Sequence, residues 1–456
     1  MVGATRYASV LGLGFGDCGK GHFVDALTRR WQAHTVVRFN GGAQAGHNVV
    51  TAPEAASAGR HHTFSQFGAG TLVPGTRTIL LDPMVVHPTA LLVEAEALGR
   101  IRVHDALSRL KIDGQCRLTT PYHQAAGRLR ERLRGAAAHG TCGVGVGETV
   151  RHALAHPEQV LRYGDLRPAT TAHAKAQLDR LQAIRSTLLA EFSPCCPAGS
   201  VAARSEEFQA LQDETLAGKW LTIAQALARE CPPASAEAIR TQLEQPGCVL
   251  FEGAQGILLD EWRGFHPHTT WSSITTAAVE SVAARLGVTG SFEHYGVLRS
   301  YLTRHGSGPL PTHDPSLDGL LPEPHNHGDG WQGGFRRGYP DAVLLRYALE
   351  AIGQLSGLLV GHLDVFERGV KLKWCERYAI ESPPQSSEEL ERIPLGRSED
   401  LAHQSMLTDR LMKARPVYAT APIISDREFL EHLTGITTVP VLYRSYGATG
   451  TGLRER

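Results

Sequence analysis

The stretch Val10-Leu-Gly-Leu-Gly-Phe-Gly-Asp-Cys-Gly-Lys-Gly-His22 sets the fold class. The apolar run Ala8 to Leu13 ends in alternating glycines, and an amphipathic pattern follows from Phe23 to Trp31. That order predicts a strand, a tight turn and a helix. Glycines let the backbone turn sharply and approach a ligand closely. The free N–H groups and positive dipole end of the next helix suit phosphate. Gly14 to Lys20 has the G-x-x-x-x-G-K spacing of a P-loop, with two departures. Gly21 stands where a hydroxyl would bind magnesium, and Asp17 sits inside the loop, where phosphate repels it unless a cation or a catalytic role compensates. A dinucleotide fingerprint fails, because its third glycine position is Asp17. A glycine-rich turn that binds nothing is the plainer reading of this stretch alone.

Outward from the loop, Thr35 to Phe39 reads as a second strand ending in Asn40-Gly-Gly-Ala-Gln-Ala-Gly-His-Asn48. A lone histidine is more often structural than catalytic, but His47 on a second glycine loop tilts the reading toward chemistry. A third glycine loop, Gly140 to Glu148, precedes a helical stretch. Thr78–Leu81, Gly247–Phe251, Gly296–Leu302, Leu355–Leu363 and Val439–Tyr443 also read as strands. Several run into Gly, Asp or hydroxyl residues, so one crevice at the carboxyl ends of a mostly parallel sheet would collect them. Pro88–Gly99, Gln177–Phe192 and Ser205–Arg229 have helical spacing. The hydroxyls between Thr269 and Thr276 either hold a phosphate or cap a helix, with Thr275 or Thr276 a suitable N-cap. Pro309 to Asp341 reads as irregular, with the character of a lid. Its Arg336 and Arg337 would either clamp an anion bidentately or sit as exposed charge.

The chain has 456 residues with 46 basic and 46 acidic side chains, which argues against a general nucleic-acid or membrane surface. Its eight scattered cysteines offer only the adjacent Cys195 and Cys196, which make neither a zinc knuckle nor an easy disulfide. No secretory signal opens the sequence, and no apolar run reaches the ~20 residues that span a bilayer. A soluble, reducing, cytoplasmic setting is the expectation.

In order along the chain, Gly-Phe-Gly-Asp17-Cys-Gly-Lys20-Gly, Asn-Gly-Gly-Ala-Gln44-Ala-Gly-His47, Phe-Glu-Gly-Ala-Gln255-Gly-Ile-Leu-Leu-Asp260, Tyr301-Leu-Thr-Arg304-His-Gly-Ser-Gly-Pro-Leu-Pro-Thr312 and Leu363-Asp364 resemble the adenylosuccinate synthetase family. The resemblance implies one α/β domain over residues 1–456. It would be built on a mostly parallel twisted sheet, with a P-loop-like GTP site, a helical insertion at about 120–240, and assembly as a homodimer. It also implies a ligase that uses GTP and Mg2+ to join L-aspartate to a purine nucleoside monophosphate, IMP. Phosphate passes to the purine 6-oxygen and the aspartate amine displaces it.

Carried onto this sequence, Asp17 takes the purine N1 proton and binds magnesium, with the Gly46 carbonyl as a second metal ligand. His47 stabilises or protonates the oxygen as phosphate transfers, and Gln255 orients the 6-oxopurine. Lys20 with Gly14, Gly16, Gly19 and Gly21 would hold phosphates. Asp364 would read guanine, with Ser445 and Gly447 beside it. Gln44, Cys142, Thr270, Arg304, Arg336 and Arg337 would bind the acceptor and the amino acid.

The departures from the family pattern are Cys18 for glutamate, Gln44 for asparagine, Cys142-Gly-Val144-Gly for Thr-Gly-Arg-Gly, a shortened arginine run at Phe335-Arg336-Arg337, and His362 for lysine. The arginine that reaches across the dimer to the acceptor phosphate has no clear counterpart here, and Arg151 is no more than a guess at it. One branch of the family, in certain phages, acts on dGMP on the way to diaminopurine DNA, so dGMP, GMP or another 6-oxopurine (deoxy)nucleotide with ATP, dATP or GTP is the alternative. Its loop acid is commonly a small residue, so the retained Asp17 favours IMP or dIMP.

Overall fold

Successive residues of the first strand, from Ala8 to Leu11, are wholly buried. A strand is buried on both sides only when helices cover both faces of its sheet. The computed structural model describes residues 5–53, 59–167, 170–326, 330–382 and 386–456. In chain order come β1 (Thr5–Gly12), α1 (Lys20–Arg30), β2 (Ala33–Arg38), the hairpin β3 (His47–Val50) and β4 (His61–Phe64), β5 (Arg77–Leu80), α2 (Pro88–Arg100) and β6 (Leu110–Asp113). A helical stretch follows: α3 (Pro121–Arg134), α4 (Val146–Ala155), α5 (Thr171–Phe192), α6 (Glu206–Gln212), α7 (Thr215–Glu230), the short β7 (Pro233–Ala234) and α8 (Ala236–Leu243). Then come β8 (Gly247–Gly256), α9 (Thr276–Arg285), β9 (Phe292–Arg299), β10 (Leu302–His305), β11 (Phe335–Gly338), α10 (Ala342–Ile352), β12 (Gly357–Gly361) and α11 (Asp364–Glu367). The chain closes with β13 (Cys375–Ser382), β14 (Ser386–Leu390), α12 (Leu401–Met412), β15 (Ala414–Tyr418), α13 (Asp426–Thr434), β16 (Val441–Ser445) and β17 (Leu453–Glu455).

The main sheet has the order β17-β16-β12-β9-β1-β8-β2-β5-β6-β7. Every pairing in it is parallel except the edge pair β16–β17. β1 lies between β8 and β9, so the first glycine loop opens at the centre of the sheet's carboxyl edge. Alternate residues of β1 feed two cores. Ala8 and Val10 join residues of α1, α2, α3, α5 and α7, whereas Tyr7 and Leu11 join residues of α8, α9, α10 and α12. Among the described residues no helix is long and apolar enough to cross a membrane.

Three local expectations are corrected. Ser205–Arg229 is two helices, not one: Asp213 ends the first, and its carboxylate accepts from the Thr215 N–H and hydroxyl at 2.8 and 2.7 Å. The strand placed at Gly296–Leu302 is Phe292–Arg299, because the chain turns at Ser300, whose hydroxyl donates to the His362 carbonyl at 2.7 Å. The irregular Pro309–Asp341 segment contains β11, which pairs antiparallel with β10; residues 327–329 lie outside the described residues. Thr275 does cap its helix, accepting from the Ala278 N–H.

Candidate active site

Gly19, at φ 88°, starts α1 without a side-chain cap, which leaves its first N–H groups open to an anion. Lys20 is 2% exposed, and its ammonium donates to the Gly16 carbonyl at 2.5 Å. Burial pushes its pKa down. Asp17 belongs to the same loop and is mostly buried. Its Oδ1 is 3.0 Å from Arg299, its Oδ2 accepts from Asn326 at 2.6 Å, and its carbonyl accepts from the Thr303 hydroxyl at 3.0 Å.

β8 runs beside both β1 and β2, and this brings its polar residues to the loop. Glu252 is fully buried, and its Oε1 accepts from His47 Nδ1 at 2.5 Å while Oε2 accepts from the Ala69 N–H at 2.8 Å. Burial raises the Glu252 pKa, but His47 and Arg38 outweigh it and the net shift is downward. Burial pushes the His47 pKa down to about 4 although Glu252 pulls the other way. A neutral imidazole therefore donates from Nδ1 and keeps Nε2, which is buried and has no partner among the described residues, for a reacting group. His47 packs on the phosphate loop: a Cβ on Gly21 would lie 2.8 Å from its own Cβ. Gln255 sits at φ +66°, a costly backbone for a non-glycine residue that recurs at functional sites. Its Oε1 would lie 3.3 Å from a Cβ on Gly16.

Gln44 and Cys142 meet on a second side of the crevice. The Gln44 amide nitrogen and oxygen are both buried without partners among the described residues, so a ligand's polar edge could satisfy them. Cys142 Sγ is 4.0 Å from the Gln44 carbonyl and accepts from Gln332 at 2.8 Å. Burial raises its thiol to about 12, so it acts as a neutral polar contact. Trp331 packs over Gly143 and is flanked by Arg128 and Arg132 at 5.3 and 4.9 Å. The long loop is thereby tied to the third glycine loop. Thr270 is half-buried; its N–H donates to Leu259, and the neighbouring Ser272 hydroxyl accepts from the Gly41 N–H.

Ser445 bonds His22 at 2.8 Å and the Gly447 carbonyl at 3.2 Å, and its own carbonyl accepts from Leu363 at 3.1 Å. Asp364 and the phosphate-loop helix therefore share one edge of the crevice. Asp364 is half-buried, 3.6 Å from Arg368.

The arginines separate. Arg304 and Arg336 are directly opposite on β10 and β11, while Arg337 is opposite Thr303 and so projects from the other face. Arg304 is 2% exposed and bonds the Ser307, Pro309 and His268 carbonyls over the Phe15 ring. Arg337 bonds the Leu321 carbonyl at 2.6 Å and Asp318 at 2.7 Å. Arg336 donates to the Gly308 carbonyl at 2.9 Å and keeps a buried Nε without a partner among the described residues. Arg336 and Arg337 thus do not form one clamp. Arg151 is held by Glu148 and by Glu191. Glu252, Arg299, Glu323 and Asn326 had no role from sequence, although Glu252 lies inside a quoted motif.

The sequence pattern of the adenylosuccinate synthetase family matches residues 9–447. The chain belongs to the adenylosuccinate synthetase family. It is 34% identical to the adenylosuccinate synthetase of Thioalkalivibrio sulfidiphilus over 378 residues, covering 82% of this chain and 80% of that one. It is 30% identical to that of Myxococcus xanthus over 450 residues, covering 96% of each. By these relatives it is an enzyme of the C–N bond-forming ligase type. The fold matches a fully ligated adenylosuccinate synthetase from Plasmodium falciparum with a TM-score of 0.75 and 20% identity, over 99% of this chain and 100% of that one. It matches the succinoaminodeoxyadenylate synthetase of cyanophage S-2L, bound to dGMP and dATP, with a TM-score of 0.59 and 16% identity, over 100% and 96%.

Proposed function

We propose that this chain, acting as one 456-residue adenylosuccinate synthetase-like domain in a homodimer, phosphorylates the 6-oxygen of IMP with GTP and replaces the phosphate with L-aspartate. The observation that carries this is the convergence of Asp17, Lys20, the His47–Glu252 pair and Gln255 on one glycine loop. Asp17 accepts the N1 proton as the 6-oxygen becomes a nucleophile. Gln255 orients the purine edge. Lys20 and the open N–H groups of α1 hold the donor's phosphates and the charge that develops on them. His47 meets the transferring oxygen through Nε2, and Glu252 fixes its tautomer and ring plane. Asp364 reads the donor base, while Gln44, Cys142 and Thr270 receive the acceptor. Arg336, with its free Nε, receives an aspartate carboxylate.

The oxygen donors fit magnesium, which takes one or two protein ligands and otherwise waters and phosphates. Asp17 and the exposed Gly46 would hold it. When bound it supplies positive charge that neutralises the phosphates during transfer.

The test is a matrix of acceptor, donor and amino acid read by product mass. Adenylosuccinate from IMP, GTP and L-aspartate is expected, and absence of product from every 6-oxopurine nucleotide would refute the reading. His362, half-buried beside Asp364, favours one second reading in which dGMP is acceptor and ATP or dATP donor. The same matrix separates the two.

A further inference from the structure

Arg299 stands between two carboxylates from distant parts of the sequence. Its guanidinium reaches Asp17 at 3.0 Å on one side and pairs with Glu323 on the other. The three side chains are 6, 17 and 7% exposed. Glu323 is itself held in place. The Tyr301 hydroxyl donates to the oxygen that pairs with Arg299, at 2.7 Å, and Asn326 donates to its other oxygen at 3.1 Å. The same Asn326 nitrogen is 2.6 Å from Asp17. The Tyr301 hydroxyl also lies 3.2 Å from His362 Nδ1, in the turn that presents Asp364. Both Asp17 oxygens thus have a protein donor, and both donors are anchored by Glu323.

An exposed ion pair contributes about 0–1 kcal/mol and fixes little. A buried guanidinium bridging two carboxylates, each with further hydrogen bonds, has one geometry. If the cluster served stability alone, the Arg299–Glu323 pair would suffice without Asp17. Arg299 ends β9, the strand next to β1, so its position is set by the sheet, and the Glu323 end fixes the direction of its guanidinium.

We propose that Glu323, on the long loop, is a positioning residue that sets the catalytic carboxylate of Asp17 through Arg299. The proposal rests on the reading of Asp17 as the base. Neither Glu323 nor Arg299 contacts substrate in this scheme. The loop segment from Leu321 to Asn326 therefore belongs to the catalytic machinery as a support for Asp17, in addition to any part the loop has in receiving the amino acid.

Full-length wild type, Glu323→Gln, Arg299→Lys and Arg299→Gln are compared with IMP, GTP, L-aspartate and Mg2+. Misplacement of a reacting group by about 1 Å costs up to about 100-fold. The expected kcat is down about 10-fold in E323Q and about 100-fold in R299Q, with partial recovery in R299K. KM for IMP and GTP is expected to stay within about twofold. A merely structural role would instead lower the melting temperature and leave kcat per folded molecule unchanged.

A second arm needs no turnover: coupling of an amine to Asp17 with a water-soluble carbodiimide, read by peptide mass against the exposed Asp179 in the same sample. R299Q is expected to raise Asp17 labelling at least about threefold, since its covering group is gone. Unchanged labelling in R299Q, or unchanged kcat in folded E323Q, overturns the proposal. If the wild type turns over no substrate combination, the functional reading fails, and the labelling arm still decides whether Arg299 positions Asp17.

Discussion

Replacing Glu252 with glutamine isolates what the buried carboxylate does for His47. The substitution keeps the volume of a fully buried side chain and removes its charge. One carboxylate oxygen accepts from His47 Nδ1 at 2.5 Å and the other from the Ala69 N–H at 2.8 Å. Glutamine has a single acceptor oxygen. If that oxygen stays with Ala69, its NH2 group faces Nδ1, which must then be the bare nitrogen, and the proton moves to Nε2. The imidazole is left in the wrong tautomer and without an anion to stabilise its charged form.

A positioned acid or base contributes about 10²–10⁴-fold. Loss of its orienting carboxylate is expected to lower kcat by about 10²–10³-fold, or about 3–4 kcal/mol of barrier. The stability cost of one buried charge-assisted hydrogen bond is about 2 kcal/mol, which for a chain of 456 residues is about 2 °C in melting temperature. Steady-state phosphate release gives kcat and KM, and a thermal melt gives the fold. Folded E252Q with kcat within about threefold of wild type would refute the role of the Glu252–His47 pair.

Stability should fall on acidification through His47. Its folded pKa of about 4 lies below its ordinary 6.5. Its contribution is therefore complete above 6.5 and is lost as pH falls toward 4, by about 3 kcal/mol in all. Urea titrations at pH 7.5 and 4.5 should show that loss in wild type and a smaller one in His47→Asn. A Cβ at position 256 would lie 2.1 Å from the Gly14 carbonyl, so Gly256→Ala must displace the phosphate loop. Its kcat should fall at least about 100-fold with a folded far-ultraviolet spectrum. Arg336→Ala should raise KM for L-aspartate about 10-fold or more, from the loss of a charge-assisted contact. Arg337→Ala should leave that KM within about twofold, because its guanidinium is occupied by Leu321 and Asp318 on the other face.

What could be read along the chain was local. The run from Val10 to His22 announces strand, turn and helix, because turn chemistry and apolar spacing act over a few residues. Strand ends rich in Gly, Asp and hydroxyls placed the crevice on the sheet's carboxyl edge for the same reason. Element boundaries were the less legible part, whether a local or a distant bond set them. Asp213 splits a helix by a local side-chain bond that apolar spacing does not register, and the end of the strand at Arg299 is set by Ser300 bonding His362 across the sheet.

The site was legible in part. Asp17, Lys20, His47 and Gln255 stand in glycine-rich motifs that mark themselves. Glu252 meets His47 from 205 residues away, and Asn326 meets Asp17 from 309. Nothing in local spacing foretells either pairing. Arg336 and Arg337 look like a pair in sequence, but a strand sends neighbours to opposite faces and pairs Arg336 with Arg304 instead. The sequence alone therefore determined the class of fold and the glycine loops, since these follow from backbone preference. Only the tertiary structure decided which charges meet, because the parallel order of β9, β1, β8 and β2 is what brings Arg299, Asp17, Glu252 and His47 to one edge.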